Sequence, residues 1–396
     1  MVRDLLRLAI RRPLATAIVI AIAARLATFV FAFYVPITNE IGMPVSPSLL
    51  QPWIEFEFYR KSLEAYRTLS LSELYGLFVE YYQRPFADAD GHIIGGPVFP
   101  ALIGVFDYRA GNTLPLALVY LFFSSSLAAI WLIWLRRNNV GAIWLWVFAL
   151  LPNPFWFMLN VTTDLAFAVL VTLFYLTYFR DRWAIRHVAA WVVLLVLCVL
   201  VRPNGAAILL FVFLDFALFS SLSIRLRLTV VGILGVAGLA SAAYLFPYFA
   251  TEMSKLTSFE YFGHDETQYL EGLFAHLPIW IDLLISWVSL LAAKSAYFTG
   301  LRPSSAGIAA PWLILRAAAG VILLPGLIYA LFYSVKRERL FVWVYIFPIF
   351  LSSTQDRYNL AIQPLLFLYG IQAYRVLWLK LRRDHPTPPR ATLDQT

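Results

Sequence analysis

Acidic side chains spaced by one residue occur twice between residues 37 and 113. Glu55 and Glu57 lie in WIEFEFYRKSLEAY (53–66), with Tyr59 close by. Asp88 and Asp90 lie in ADADGHIIGGPVFP (87–100), with His92 following. On a helix this spacing points two side chains about 200° apart, whereas an extended or turn segment lets both converge on one ligand. Asp-Ala-Asp-Gly is turn chemistry, so Asp88 and Asp90 can meet at a hydroxyl or at a divalent cation, Mg or Mn. The 53–66 stretch reads as the start of an amphipathic helix, which leaves either Glu55 or Glu57 facing a site. A carboxylate so placed can take the proton of an attacking hydroxyl. The competing reading is structural: Asp88 and Asp90 cap the helix that opens near 95–97, and Glu55 and Glu57 form the wet face of a surface helix.

The elements that must position these acids are hydrophobic. Of 396 residues, 61% are apolar and only 14% are charged, about half the charge of a soluble domain. Apolar runs of roughly 20 residues, each able to cross a bilayer, recur along the chain. The expected fold is an all-α polytopic membrane bundle of about ten transmembrane helices with a long first outer loop holding amphipathic surface helices. Short alternating strands of a membrane barrel are absent from the pattern. The net charge of +8 sits at the ends of apolar runs, which is the positive-inside signature, and makes no basic stripe for nucleic acid. The single Cys198 can form no intramolecular disulfide.

Arg3, Arg7, Arg11 and Arg12 place the N-terminus in the cytoplasm. The first apolar run, about 13–36, is too long for a signal-peptide core and reads as a retained helix. The outer segment 37–113 follows. Further spans are expected near 114–135, 140–159, 163–179, 187–202, 204–221, 228–250, 312–335, 340–353 and 359–378, which returns both termini to the cytoplasm and leaves 385–396 as a disordered tail. Segment 277–300, inside the outer loop 251–311, carries Asp282 and Lys294; its crossing would put Lys336, Arg337 and Arg339 outside, so an interfacial or half-inserted helix is expected. The chain thus divides into a membrane module over 1–250, the loop 251–311 and C-terminal helices over 312–384. Arg25 falls near the middle of the first helix, where an ionisable group needs a partner; Asp164 and Asp215 are the candidates.

Arginines at outward helix mouths complete a chemical set. Arg202 lies in VRPNG, Arg357 in QDRYN and Arg302 in GLRPSS, each near the level where a lipid phosphate lies. A guanidinium there can grip phosphate and stabilise it as a leaving group.

The order of these parts resembles the GT-C superfamily of integral-membrane glycosyltransferases, with distant similarity to members related to the GPI-anchor mannosyltransferases and to family 39. EFEFYRKSLEA is similar to the family's early catalytic acid and tyrosine setting. GGPVFPALIGVF (95–106) is similar to its proline-rich surface helix. LPNPFWFMLNVTTDLAFAVLVTL (151–173) resembles its Pro-then-Asp helix pair, with Asp164 at a helix mouth. CVLVRPNGAAILL (198–210) resembles its Arg-Pro-x-Gly turn, and STQDRYNLAIQPLLFLYG (353–370) its Arg-Tyr segment opening a late helix. These pieces cover most of the chain. The family's early acid is usually aspartate, and this chain has glutamates. The resemblance implies transfer of a sugar from a polyprenyl-phosphate donor to a lipid, glycan or protein acceptor on the outer face of a cytoplasmic or equivalent membrane. It implies Glu55 or Glu57 as base, with Asp88 and Asp90 in support and as candidate cation ligands. It also implies Arg202, Arg357 and Arg302 on the donor phosphate, and Tyr59, His92, Asp164 and Tyr358 as supporting groups. The alternatives are a lipid or solute transporter, which would favour charges at the midplane and internal repeats, and an oligosaccharide ligase or polymerase working through 251–311.

Overall fold

Which residues are small and which are large decides how the first helix sits. α1 (Pro13–Tyr34) begins at a proline, whose missing N–H costs nothing in a first turn. Ala17, Ala21, Arg25 and Phe29 recur every four residues and are buried, while Val19, Ile22, Leu26 and Val30 are exposed. Large apolar residues turned outward suit a helix covered by lipid rather than water, and the alanines allow close packing on the inner face. The computed structural model describes residues 11–34, 37–38, 44–45, 70, 72–73, 114–151, 163–179, 184–202, 205–219, 223–225, 229, 232, 278–301, 310–351 and 359–384. Among these residues there are ten helices and one ladder of two two-residue strands, β1 (Ile37–Thr38) and β2 (Pro44–Val45), antiparallel with Ile37 opposite Val45.

α2 (Leu114–Arg137) ends on Arg136 and Arg137, which complement the negative end of its dipole. Asn139 takes a left-handed φ of 60°. Its N–H donates to Arg136 O and the N–H of Val140 to Leu135 O, both at 3.1 Å. This closing turn reverses the chain into α3 (Ala142–Ala149). α4 (Thr163–Tyr178) is buried along most of its length and packs on α2 and on α5 (Ile185–Val201). α6 (Gly205–Phe219) packs on α5 and on α9 (Lys336–Leu351). α7 (Ile279–Thr299) leans on α8 (Ala310–Phe332), and α8 makes its most extensive contact with α10 (Gln363–Asp384).

Aromatic rings tie these layers together. Trp131 on α2 meets Trp134 edge-on at 5.3 Å and donates its Nε1–H to Thr172 Oγ1 on α4 at 3.0 Å. Phe211 on α6 stacks on Phe179 at 5.6 Å and meets Phe341 of α9 edge-on at 5.1 Å. Phe367 of α10 reaches Phe148 of α3 at 5.2 Å. α8 and α10 cross at two glycines. A methyl group on Gly326 would strike the carbonyl of Leu366, and one on Gly370 would strike the carbonyl of Ile322. Each glycine therefore faces the carbonyl four residues before the other, the close backbone approach that small residues permit between packed helices.

Among the described residues three helices are long and apolar enough to cross a membrane, over Pro13–Val30, Ala117–Arg137 and Ile314–Phe332, and α4, α5 and α6 are shorter apolar helices. Pro325 and Pro348 sit inside α8 and α9, as membrane helices tolerate when neighbours satisfy the freed carbonyls. Most of 37–113, where surface helices are expected, and most of the span expected at 228–250 lie outside the described residues.

One expectation is corrected. Arg25 donates to Ser124 Oγ at 2.9 Å and to the carbonyls of Ala21 and Ala149 at 2.9 and 3.4 Å. Its expected partners turn elsewhere: Asp164 meets Arg202, and Asp215 meets Arg337. Rotation about the helix axis, which depth along a span does not reveal, decides this. In 277–300, expected as an interfacial or half-inserted helix, the C-terminal half of α7 packs into the protein. Lys294, Phe298 and Thr299 are buried, and Lys294 Nζ donates to Phe350 O at 2.5 Å.

Candidate functional site

The acids that open the sequence argument, Glu55, Glu57, Asp88 and Asp90, lie outside the described residues, as do Tyr59, His92, Arg302, Arg357 and Tyr358. Asp164 and Arg202 are described, and the fold brings them into contact.

Arg202 is positioned by the chemistry of the residues around it. A proline follows it in sequence, which drives the residue before it out of the helical region. Arg202 accordingly ends α5 with φ −148° and ψ 146°, its N–H donating to Cys198 O. The N–H of Gly205 donates back to Arg202 O at 2.9 Å. Gly205 packs directly on the Cys198 carbonyl, where a β-carbon would collide. The chain therefore folds back at once into α6 and holds the Arg202 side chain at the end of α5.

Asp164 stands in the first turn of α4, where the positive end of the helix dipole favours a carboxylate. Arg202 Nη1 donates to Asp164 Oδ1. The Asp164 side chain is 3% exposed and that of Arg202 14%. An aspartate so enclosed fixes the direction of the guanidinium, and a guanidinium aimed this way at a helix end can receive an anionic oxygen. Asp164 is thus a positioning residue for Arg202. The pair spans only 38 residues of sequence.

The opposite end of α4 holds polar groups that the motif reading passed over. Tyr178 donates to Asp215 Oδ2 of α6 at 2.7 Å. Arg337 of α9 grips the same carboxylate through Nε at 2.7 Å and Nη2 at 2.6 Å, the two-pronged geometry that suits arginine to carboxylates. Its guanidinium also lies over the rings of Tyr178 and Phe179, at 5.7 and 5.6 Å from their centres. Beside it, Glu338 accepts from Tyr175 at 2.6 Å and from Tyr369 of α10. The signals were in the sequence: Asp215 in an apolar run, and a glutamate within the basic cluster 336–339. Four helices meet there through two carboxylates whose donors are phenols and a guanidinium, which is a way to lock a bundle.

Comparison with known proteins yields no family model, no curated protein and no solved structure that matches this chain.

Proposed function

We propose that the protein is a GT-C-type glycosyltransferase that moves a sugar from a polyprenyl-phosphate donor to a hydroxyl of a lipid, glycan or protein acceptor. On this reading it crosses a cytoplasmic or equivalent membrane about ten times, keeps both termini in the cytoplasm and works on the outer face. The observation that carries the reading is the contact of Asp164 with Arg202. The two residues come from two separate segments of the resemblance, the Pro-then-Asp helix start and the Arg-Pro-x-Gly turn, and they meet at one helix end.

The chemistry assigned to the chain is a displacement at the anomeric carbon. The acceptor O–H loses its proton to Glu55 or Glu57 as its oxygen bonds to that carbon. The bond from carbon to the phosphate oxygen breaks, and its electron pair leaves with the lipid phosphate. Arg202, with Arg357 and Arg302, stabilises that departing charge. Asp88 and Asp90 support the base; a divalent cation held by them would add charge on the phosphate side.

The test is donor consumption by purified protein in lipid nanodiscs, across a panel of polyprenyl-phosphate sugars, with a mixed acceptor extract. One donor is consumed by the wild type, and consumption falls in Glu57→Ala or Glu55→Ala and in Asp88→Ala. EDTA reports on the cation. A wild type that consumes no donor would falsify the reading.

A further inference from the structure

Before α10 the chain leaves the α-helical path at Asn359–Ile362, a 3-10 residue followed by a turn, and all four residues are buried, between 0% and 4% exposed. Irregular backbone this deep in a bundle of apolar helices persists where neighbours satisfy it or where it lines a site. Part of it is satisfied. The N–H of Ile362 donates to Asn359 O at 2.9 Å. Asn359 Nδ2 donates at 2.5 Å to Phe298 O, one of the last four carbonyls of α7, which have no acceptor role inside their own helix. α7 itself closes with a second buried turn, Gly300 at φ 81° with Leu301 N–H on Ala296 O. Two buried turns therefore abut and are joined by one amide.

That bond fixes which way the amide faces. The nitrogen of Asn359 must point at Phe298 O, so Oδ1 is the remaining atom, and it is buried without a hydrogen-bond partner. Gln363, four residues on and 1% exposed, leaves Nε2 buried without a hydrogen-bond partner. The two orphans are complementary, one acceptor and one donor. A cation would be repelled by the N–H, and a phosphate by the amide oxygen. A hydroxyl suits either atom, donating to an acceptor such as Asn359 Oδ1 and accepting from a donor such as Gln363 Nε2. Keeping two such groups buried and unmet is costly in the free protein, and binding sites are where proteins carry that kind of cost.

We infer that Asn359 and Gln363 form a hydroxyl-reading subsite and that its ligand is a hydroxyl of the donor sugar. The inference rests on the glycosyltransferase reading. In sequence the subsite follows Arg357 and Tyr358 directly, so the group on the phosphate and the groups on the sugar come from one short segment. An ordered water is the competing occupant.

Wild type, Gln363→Met and Gln363→Glu are compared in nanodiscs by thermal unfolding, with a polyprenyl-phosphate hexose or with bare polyprenyl phosphate, alongside donor consumption. Gln363→Met fills the same space without the unmet donor and melts no lower than wild type. In wild type the sugar-bearing lipid stabilises more than the bare lipid phosphate. Both variants lose that excess, with sugar-dependent affinity down about tenfold, the cost of one lost hydrogen bond. A Gln363→Met protein that melts several degrees lower shows the amide held by the protein or by a structural water, and overturns the subsite. So does an excess that survives in both variants. Donor consumption that is equal in all three proteins removes the subsite and leaves the glycosyltransferase reading standing. No consumption and no response to either lipid in wild type removes both.

Discussion

The two ends of α4 solve the same problem, a buried carboxylate, in different ways. Asp164 and Tyr178 are separated by about 21 Å of helix. At the first end Asp164 meets Arg202 across 38 residues of sequence, between successive helices. At the second, Arg337 reaches Asp215 across 122 residues and Glu338 reaches Tyr175 across 163. A contact between neighbours in the chain can change partners without opening the fold. A contact between distant segments holds the fold closed. The first end is therefore suited to meeting a ligand, and the second to bearing the strain of the bundle.

Removing Asp215 breaks the comparison hardest. Asp215→Ala takes a shared partner from Tyr178 and Arg337 at once, and losing a phenol hydrogen bond together with a half-exposed ion pair costs about 2 kcal/mol. Denaturant or thermal unfolding in micelles should show a large drop, and an unchanged midpoint would show that the distant network does not hold the bundle. The double variant Asp164→Asn, Arg202→Gln acts oppositely. With both charges gone, neither is left unpaired, so stability stays within about 1 kcal/mol. Donor consumption falls about 100-fold, the usual loss when a group that stabilises developing charge is removed. If the double variant unfolds as readily as Asp215→Ala, the two ends are alike and the distinction fails.

Tyr369→Phe sharpens the comparison within the second end. It removes one of two phenols from Glu338 and costs about 1.5 kcal/mol, with no change in donor consumption. The smallest effect belongs to a contact away from both ends. Ser70 and Glu73 bond reciprocally, Ser70 N–H to Glu73 Oε2 at 2.7 Å and Glu73 N–H to Ser70 Oγ at 3.4 Å, a capping box. The Ser70 hydroxyl and N–H hold the Glu73 carboxyl below its ordinary value. Its contribution is present above the unfolded value and fades as pH falls through the lowered folded one. Ser70→Ala should move the Glu73 titration upward in a carbon-13 NMR experiment while the melting temperature hardly moves.

Much of the helical framework was legible. Apolar runs and their basic ends located α1, α2, α4, α5, α6 and α8 to within a few residues, because helix length and end charge are local properties. Asp164 and Arg202 were both marked as candidates, Asp164 for its place at a helix mouth and Arg202 for the proline after it. Their contact was not foreseen, since nothing local says that two successive turns share a face. Arg337 was read as a marker of sidedness. Such counting treats an arginine as bulk charge, and only the packing of α9 on α6 turns that charge toward Asp215. Asn359 and Gln363 lie in the same segment as Arg357, the residue there with a charge to mark it. Amides in an apolar stretch carry no charge pattern, and their significance comes from which of their atoms go unmet.

The crossing of Gly326 with Gly370 bears on how the molecule is made. α10 is the last of the described helices to emerge during synthesis, and its residues from Gln363 to Gly370 are buried against elements laid down long before. Until it arrives, the groove at Gly326 is uncovered, Glu338 lacks Tyr369, and the end of α7 lacks the Asn359 amide. The newborn chain therefore waits with its bundle ajar until α10 has been made.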